Sequence, residues 1–179
     1  PLVVTTGESK RPLVIGKYEV SFNDMKPYCR QSGACGDIQL MGDLPAHNIP
    51  LAVAEGYLAW LGSQTGYQYR LPTYREWFAA ASAKGEREQP DRNCRLKYGG
   101  IEKGAELVAT AEGKSNSYGL MNHVGNVQEW VRSGDQLLVA GGHRQDAMSL
   151  CVATSKKIHD GRADKYTGFR IARDLSKKQ

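Results

Sequence analysis

Glycine constrains this chain more than any other residue. Its 20 glycines among 179 residues run from Gly7 to Gly168, well above the ~7% of an average protein. Glycine weakens long helices and strands and marks turns or close backbone approaches. Short elements joined by many turns are therefore expected, and a helical bundle is disfavoured. Hydrophobic residues make up 40% of the chain, enough for a sizeable core in one domain.

The first ten residues read as a loose end, so residues 1–11 are expected to be a disordered or linker N-terminus and residues 12–175 a single domain. Residues 12–20 are β-branched and aromatic with partial alternation, the pattern of a strand. Ser21 followed by Asp24 resembles a capping box that opens a helix running to about Arg30. Leu51, Ala54, Tyr57, Leu58 and Leu61 recur at helical spacing, with an end expected near Gly62. Tyr69-Arg70-Leu71-Pro72 is extended, because the residue before proline avoids the α region. Thr73 and Glu76 then form a capping box for a helix to about Ala83. Residues 84–115 form a long polar connection with weak strand signals at 106–110, and loops of such length are usually functional. Strands are expected at 127–132, 136–141, 150–155 and 168–173.

Net charge is +5, but Lys10, Arg11, Lys177 and Lys178 sit at the ends. No basic run interleaves with aromatics, so nucleic-acid binding is not expected. No apolar run approaches the ~18 residues of a membrane span, and no signal-peptide pattern is present. The chain begins at Pro1, which reads as a processed product or a piece of a longer protein. Cys29, Cys35, Cys94 and Cys151 lack zinc-site spacing. Cys29 and Cys35 are near enough to close a small loop, leaving Cys94 with Cys151. That is one of three pairings, and four buried free thiols are the alternative.

Five phrases fall in a fixed order. They are Ile15-Gly16-Lys17-Tyr18-Glu19-Val20-Ser21; Tyr69-Arg70-Leu71-Pro72-Thr73-Tyr74-Arg75-Glu76-Trp77; Asn116-Ser117-Tyr118-Gly119-Leu120-Met121-Asn122-His123-Val124-Gly125-Asn126-Val127-Gln128-Glu129-Trp130; Ala140-Gly141-Gly142; and Thr167-Gly168-Phe169-Arg170. The series resembles the formylglycine-generating-enzyme, or sulfatase-modifying-factor, family over nearly the whole chain. The resemblance implies an α+β, C-type-lectin-like fold of short helices, small twisted antiparallel sheets and much irregular loop.

In the enzymes it resembles, two cysteines just after the Gly-Gly phrase bind copper(I) and use O₂ to oxidise a substrate cysteine to formylglycine. Thiolates suit that soft ion. Here His143-Arg144 replaces the family's Ser-aromatic pair, and only Cys151 remains in the segment. No copper is therefore expected. The resemblance matches Cys151 to a structural disulfide cysteine whose usual partner position holds Ala81. Cys94 is the nearest substitute, and a Cys94–Cys151 bridge implies an oxidising, periplasmic or otherwise extracytoplasmic home. The family's phrase matching 122–129 also coordinates calcium. Carried over, its ligands are Asn122, Gly125, Val127 and Glu129, hard oxygen donors on a glycine-containing turn.

Together these features imply a non-catalytic binding or sensing module of a larger extracytoplasmic bacterial protein. Its partner would be a protein segment or a glycan, without membrane contact by the domain itself. Candidate ligand contacts are His143, Arg144, Asp146, Arg162 and Asp164, along a groove lined by 140–170. Two rivals stand beside it: a metal-dependent oxidoreductase with altered ligands, and a lectin-like ligand-binding domain.

Overall fold

The computed structural model describes residues 2–6, 12–85, 87–88, 90–104 and 106–177. Strand β1 (Leu2–Thr6) is where the sequence suggested a loose end. Its Leu-Val-Val-Thr-Thr run is β-branched, and it pairs antiparallel with β2 (Pro12–Gly16), from Leu2 opposite Gly16 to Thr6 opposite Pro12. Pro1 and residues 7–11 lie outside the described residues. β10 (Ala172–Lys177) flanks β2 on its other side and β3 (Tyr67–Arg70) closes the sheet, in the order β1-β2-β10-β3.

Helix α1 (Phe22–Ser32) starts as the sequence predicts. Ser21 caps the Asp24 N–H while the Asp24 carboxylate accepts from the Ser21 N–H at 2.9 Å. It stops at Gly33, whose left-handed φ of 67° lets its N–H bond the Cys29 carbonyl. Helix α2 (Leu51–Thr65) runs past the expected stop at Gly62. That glycine serves packing instead, since a Cβ there would stand 2.9 Å from the Tyr67 carbonyl oxygen. Helix α3 (Tyr74–Ala81) carries the second capping box, Thr73 with Glu76, and the Glu76 carboxylate also receives Arg70 at 2.7 and 2.8 Å.

The 84–115 connection contains a hairpin, β4 (Leu96–Tyr98) and β5 (Ile101–Lys103), turned at Gly99-Gly100. The strand signals at 106–110 do not form a strand. There the Asn126 side chain takes the Val108 N–H and donates to the Val108 carbonyl, which fixes an irregular path. The second four-stranded sheet runs β8 (Lys156–Ile158), β7 (Gln136–Ala140), β6 (Gln128–Ser133), β9 (Thr167–Gly168). The strand expected at 150–155 is displaced to β8. Residues 148–153 are held instead by Arg92, which donates to the Met148 and Cys151 carbonyls, and by Glu88, which accepts from the Ala153 N–H. The expected strand at 168–173 is split because the chain changes sheets there. β9 pairs parallel with β6, whereas β10 pairs with β2 and β3.

The main core gathers Phe22, Met25, Ile49, Leu58, Trp130 and Phe169 from α1, α2, β6 and the crossover between the sheets. A second cluster around Trp77, Val124, Val131 and Leu138 seats α3 against β6 and β7. The mixed α+β architecture expected from the sequence is the one observed.

Candidate functional site

Four of the five sequence phrases converge on one buried polar centre. Arg170 is fully buried, and so is Glu129 on β6. The guanidinium donates to both Glu129 carboxylate oxygens, at 2.6 and 2.8 Å. Its remaining N–H groups reach the carbonyls of Gly16, Lys17 and Met121 at 2.8 to 2.9 Å. The indole N–H of Trp77 completes Glu129 at 2.8 Å. A buried charge is tolerated when it is paired and fully hydrogen-bonded, and this one is. Burial works against the Arg170 cation, but Glu129 outweighs it and holds the guanidinium more basic than usual.

Glu19 lies beside this pair, also buried. Asn126 donates to its two oxygens at 3.2 and 3.1 Å, and Asn122 to one at 3.3 Å. Burial, reinforced by the charge of Glu129, pushes its carboxyl up to about 8. At neutral pH Glu19 is therefore protonated, and Arg170 and Glu129 cancel. This bears directly on the calcium expectation. Asn122, Gly125, Val127 and Glu129 do come from one turn, but Glu129 already faces a guanidinium and Asn122 turns its amide N–H to Glu19. In this structure the Glu129 carboxylate is engaged by Arg170 and Trp77, and the Asn122 amide N–H by Glu19.

The four cysteines pair as Cys29–Cys35 and Cys94–Cys151. The second bridge is fully buried and joins the 84–115 connection to the segment after Gly141-Gly142. Gly125 makes room for it, since a Cβ at that residue would lie 2.5 Å from the Cys94 sulfur. Around the bridge, the Arg95 N–H bonds the Asp146 carbonyl at 2.9 Å and the Arg144 N–H bonds the Asn126 carbonyl at 3.0 Å. With both sulfurs of that bridge bonded, no thiolate pair exists in this segment to bind copper(I), and the residues do not fit that metal.

The bridge instead presents His143 and Arg144. The His143 ring stacks on Tyr166, centroids 4.2 Å apart and 14° from parallel. Its Nδ1 accepts the Gln145 N–H, and its Nε2 faces Asp146 at 3.4 Å. Burial lowers its basicity, Asp146 opposes that, and the nearby cations Lys157 and Arg144 add to it. The ring is a neutral aromatic plate at pH 7. His47, also buried, lies close enough to feel the charges of Arg144 and Asp164; burial again keeps its ring less basic than usual.

Asp164 is oriented by a chain of donors. The Trp130 indole N–H and the Gly161 N–H bond His159 Nδ1, at 3.2 and 2.9 Å. His159 Nε2 donates to Asp164 at 2.8 Å, and the Thr167 hydroxyl at 2.6 Å. Burial disfavours the Asp164 charge, but those two donors and the Tyr166 N–H prevail and lower its proton affinity.

Of the five candidate contacts, His143, Arg144 and Asp164 meet Tyr166, and Asp146 faces the His143 ring. Arg162 is not among them, for its side chain is 88% exposed and pairs with Asp160. Two clefts flank other parts of the chain, the first of them bordering the 140–170 segment through Gly104, whose carbonyl accepts from the Gln145 side chain. One, of about 390 Å³, is lined by residues of 91–124, including Glu102, Glu106 and His123. The other, of about 640 Å³, lies between α2 and β3. At Tyr166 the 140–170 segment presents stacked rings flanked by cations. Sequence reasoning missed His47, Lys165 and Tyr166; Tyr166 borders the Thr167-Gly168-Phe169-Arg170 phrase, the one available signal.

Comparison with solved structures shows the same fold at low identity. PvdO from Pseudomonas aeruginosa aligns over 92% of this chain and 81% of its own, with a TM-score of 0.74 and 18% identity. CarF aligns over 92% and 87%, with a TM-score of 0.72 and 23% identity. Treponema denticola variable protein 1 aligns over 91% and 84%, with a TM-score of 0.70 and 18% identity. No protein of curated function matches the chain. The sulfatase-modifying factor enzyme 1-like domain matches residues 3–175. With its phrases converging on the Glu129–Arg170 centre, this chain belongs to that family.

Proposed function

We propose that the domain is a non-catalytic binding or sensing module of a larger extracytoplasmic bacterial protein. The observation that carries this reading is the pairing of all four cysteines. Cys151, the cysteine of the segment where the resembled enzymes hold copper, is bonded to Cys94. No thiol is left to act as nucleophile or metal ligand. Two disulfides also support folding in an oxidising compartment, the periplasm or another extracytoplasmic space. No helix among the described residues is long and apolar enough to cross a membrane.

The binding face in this reading is the Tyr166 platform with His143, Arg144 and Asp164. Arginine and aromatic rings together are enriched at protein interfaces, and here Arg144 and the exposed Lys165 lie over the Tyr166 ring. A protein segment is the preferred partner and a glycan the rival. The test has two arms. Purified protein is incubated with a cysteine-containing peptide, copper or iron salts and O₂, and the peptide is weighed by mass spectrometry. No loss of mass is expected, and formation of formylglycine overturns the reading. The same protein, wild type and Tyr166→Ala, is applied to peptide and glycan arrays. Binding that disappears with the ring supports the platform, and binding unaffected by its loss removes it.

A further inference from the structure

The cavity of about 390 Å³ is lined by residues 91–93, by Glu102 and Gly104 of the β4–β5 hairpin and its exit, and by parts of 106–114 and 122–124. Its size falls within the ~300–1,000 Å³ of small-molecule sites. The walls are pinned by their own hydrogen bonds. The Asn93 amide donates to the Glu106 carbonyl at 3.0 Å and to the Asn126 side-chain oxygen at 3.1 Å. Asn126 in turn holds Val108 through both its N–H and its carbonyl. Asn93 adjoins Cys94, whose bridge to Cys151 ties this wall to the segment after Gly141-Gly142. At Gly104 the backbone passes so close to its neighbours that a Cβ would collide with the Arg144 carbonyl oxygen. A site built on backbone held in this way is largely formed before a ligand arrives.

The charges that line the cavity are unequally committed. Arg92 gives N–H groups to the Cys151 and Met148 carbonyls at 2.7 and 2.6 Å, and Lys114 stands 3.9 Å from Asp91. Glu102 and Glu106 are exposed and have no cation within ion-pair distance among the described residues. Lys97 is level with Glu102 across the hairpin, and Arg144 feels the charge of Glu106, but neither closes a pair. The cavity is also lined by His123, which is 5% exposed. Its Nε2 faces Glu88 at 3.4 Å, whereas its Nδ1 is buried without a hydrogen-bond partner. In the neutral ring, with the proton on the nitrogen beside the carboxylate, Nδ1 is a bare acceptor. A buried acceptor left unpaired is costly and calls for a donor from outside the chain.

We infer that this cavity is a second site, separate from the Tyr166 face, and that it binds a small protonated amine with a short apolar stem. Glu102 and Glu106 attract the cation, Val108 and Val124 pack on the stem, and His123 accepts an amine N–H. An anionic ligand is disfavoured, because the cavity's own cations are engaged and its free charges are negative. A bare metal ion is disfavoured too, because among the described residues no three His, Cys, Asp or Glu side chains are placed to share one.

The experiment is an NMR titration of the intact, isotope-labelled protein with cadaverine. Saturable shifts of the Glu102, Glu106, Val108 and His123 amides are expected, with binding that weakens as salt rises. Probes of the same length separate the contributions. The matching diol and glutarate lack the positive charge and should bind at least about tenfold more weakly. The bis-trimethylammonium analogue keeps the charge but has no N–H to give, and should bind about threefold more weakly or worse. Glu102→Gln combined with Glu106→Gln should weaken cadaverine about tenfold and leave the thermal midpoint unchanged, since both side chains are exposed. Equal binding of cadaverine and the diol, or of cadaverine and its trimethylated analogue, overturns the inference. So do undiminished binding by the double variant, shifts confined to other parts of the chain, or no shift up to about 50 mM. Displacement of cadaverine by equimolar calcium overturns it as well, by making the carboxylates a metal site. None of these results bears on the Tyr166 face, which the arrays and the mass-spectrometric assay test separately.

Discussion

Arg170 and Arg144 are the same side chain in two opposite situations. Arg170 is fully buried and engages every donor it has, on one carboxylate and three carbonyls drawn from distant parts of the chain. Arg144 is half-buried, donates to one carbonyl and has no carboxylate within ion-pair distance among the described residues, the charge of Glu106 reaching it only from farther off. A guanidinium whose donors are all satisfied holds a fold together and has nothing left to offer a partner. One that is desolvated and unsatisfied contributes little to folding and is ready for a ligand. The difference separates the structural centre of this domain from its candidate binding face more clearly than residue type or position in the chain does.

The largest test of that contrast is Arg170→Met. It leaves Glu129 buried and uncompensated, so chemical denaturation should show a loss of ~3–5 kcal/mol. A loss under ~1 kcal/mol would mean that Arg170 is not the staple described. Next come the disulfides. The Cys94→Ala/Cys151→Ala pair opens a loop of sequence separation 57 and should cost ~4 kcal/mol, against ~2 kcal/mol for Cys29→Ala/Cys35→Ala at separation 6. The first variant should also abolish binding at the platform, since it frees the segment that carries Arg144; equal costs for the two would break this ordering.

The third test is pH. Glu19 titrates near 8 when folded, against an ordinary 4.5. Between those values the folded form keeps a proton that the unfolded form has lost, so stability falls as pH rises from about 4.5 to about 8 and then levels. From pH 6 to pH 8 the fall should be about 2 kcal/mol. Thermal melts across that range should show it in the wild type and not in Glu19→Gln, whatever the absolute stability of that variant. A flat wild-type profile would mean that Glu19 is ionised in the fold. Smallest of all is Arg144→Gln, expected to change stability by less than ~0.5 kcal/mol. A larger loss would make Arg144 a second Arg170.

Local chemistry was readable from the sequence, and long-range pairing was not. Both capping boxes form as written because each lies within four residues of chain. The carbonyl and carboxylate partners of Arg170 lie between 41 and 154 residues away, and no spacing rule reaches that far. The strand expected at 150–155 fails because Arg92 and Glu88, far earlier in the chain, occupy its backbone groups. Spacing offered the observed disulfides as one of three pairings and the resemblance singled out Cys94–Cys151, while the platform was legible only in part: His143, Arg144 and Asp164 meet Tyr166, which carries no periodicity or motif of its own. The guanidinium that meets Glu129 in space, 41 residues further along the chain, could not be read from the 122–129 phrase.

The first sheet has a mechanical consequence. β1 and β10 run in the same direction on either side of β2, with Leu2 level with Gly16 and Asp174 level with Leu13. A pull applied at Leu2 and Lys177 therefore acts along the strands, in opposite directions. The rungs on both sides of β2 would be loaded together in shear instead of parting one by one, an arrangement that resists stretching when a domain is tethered at both ends.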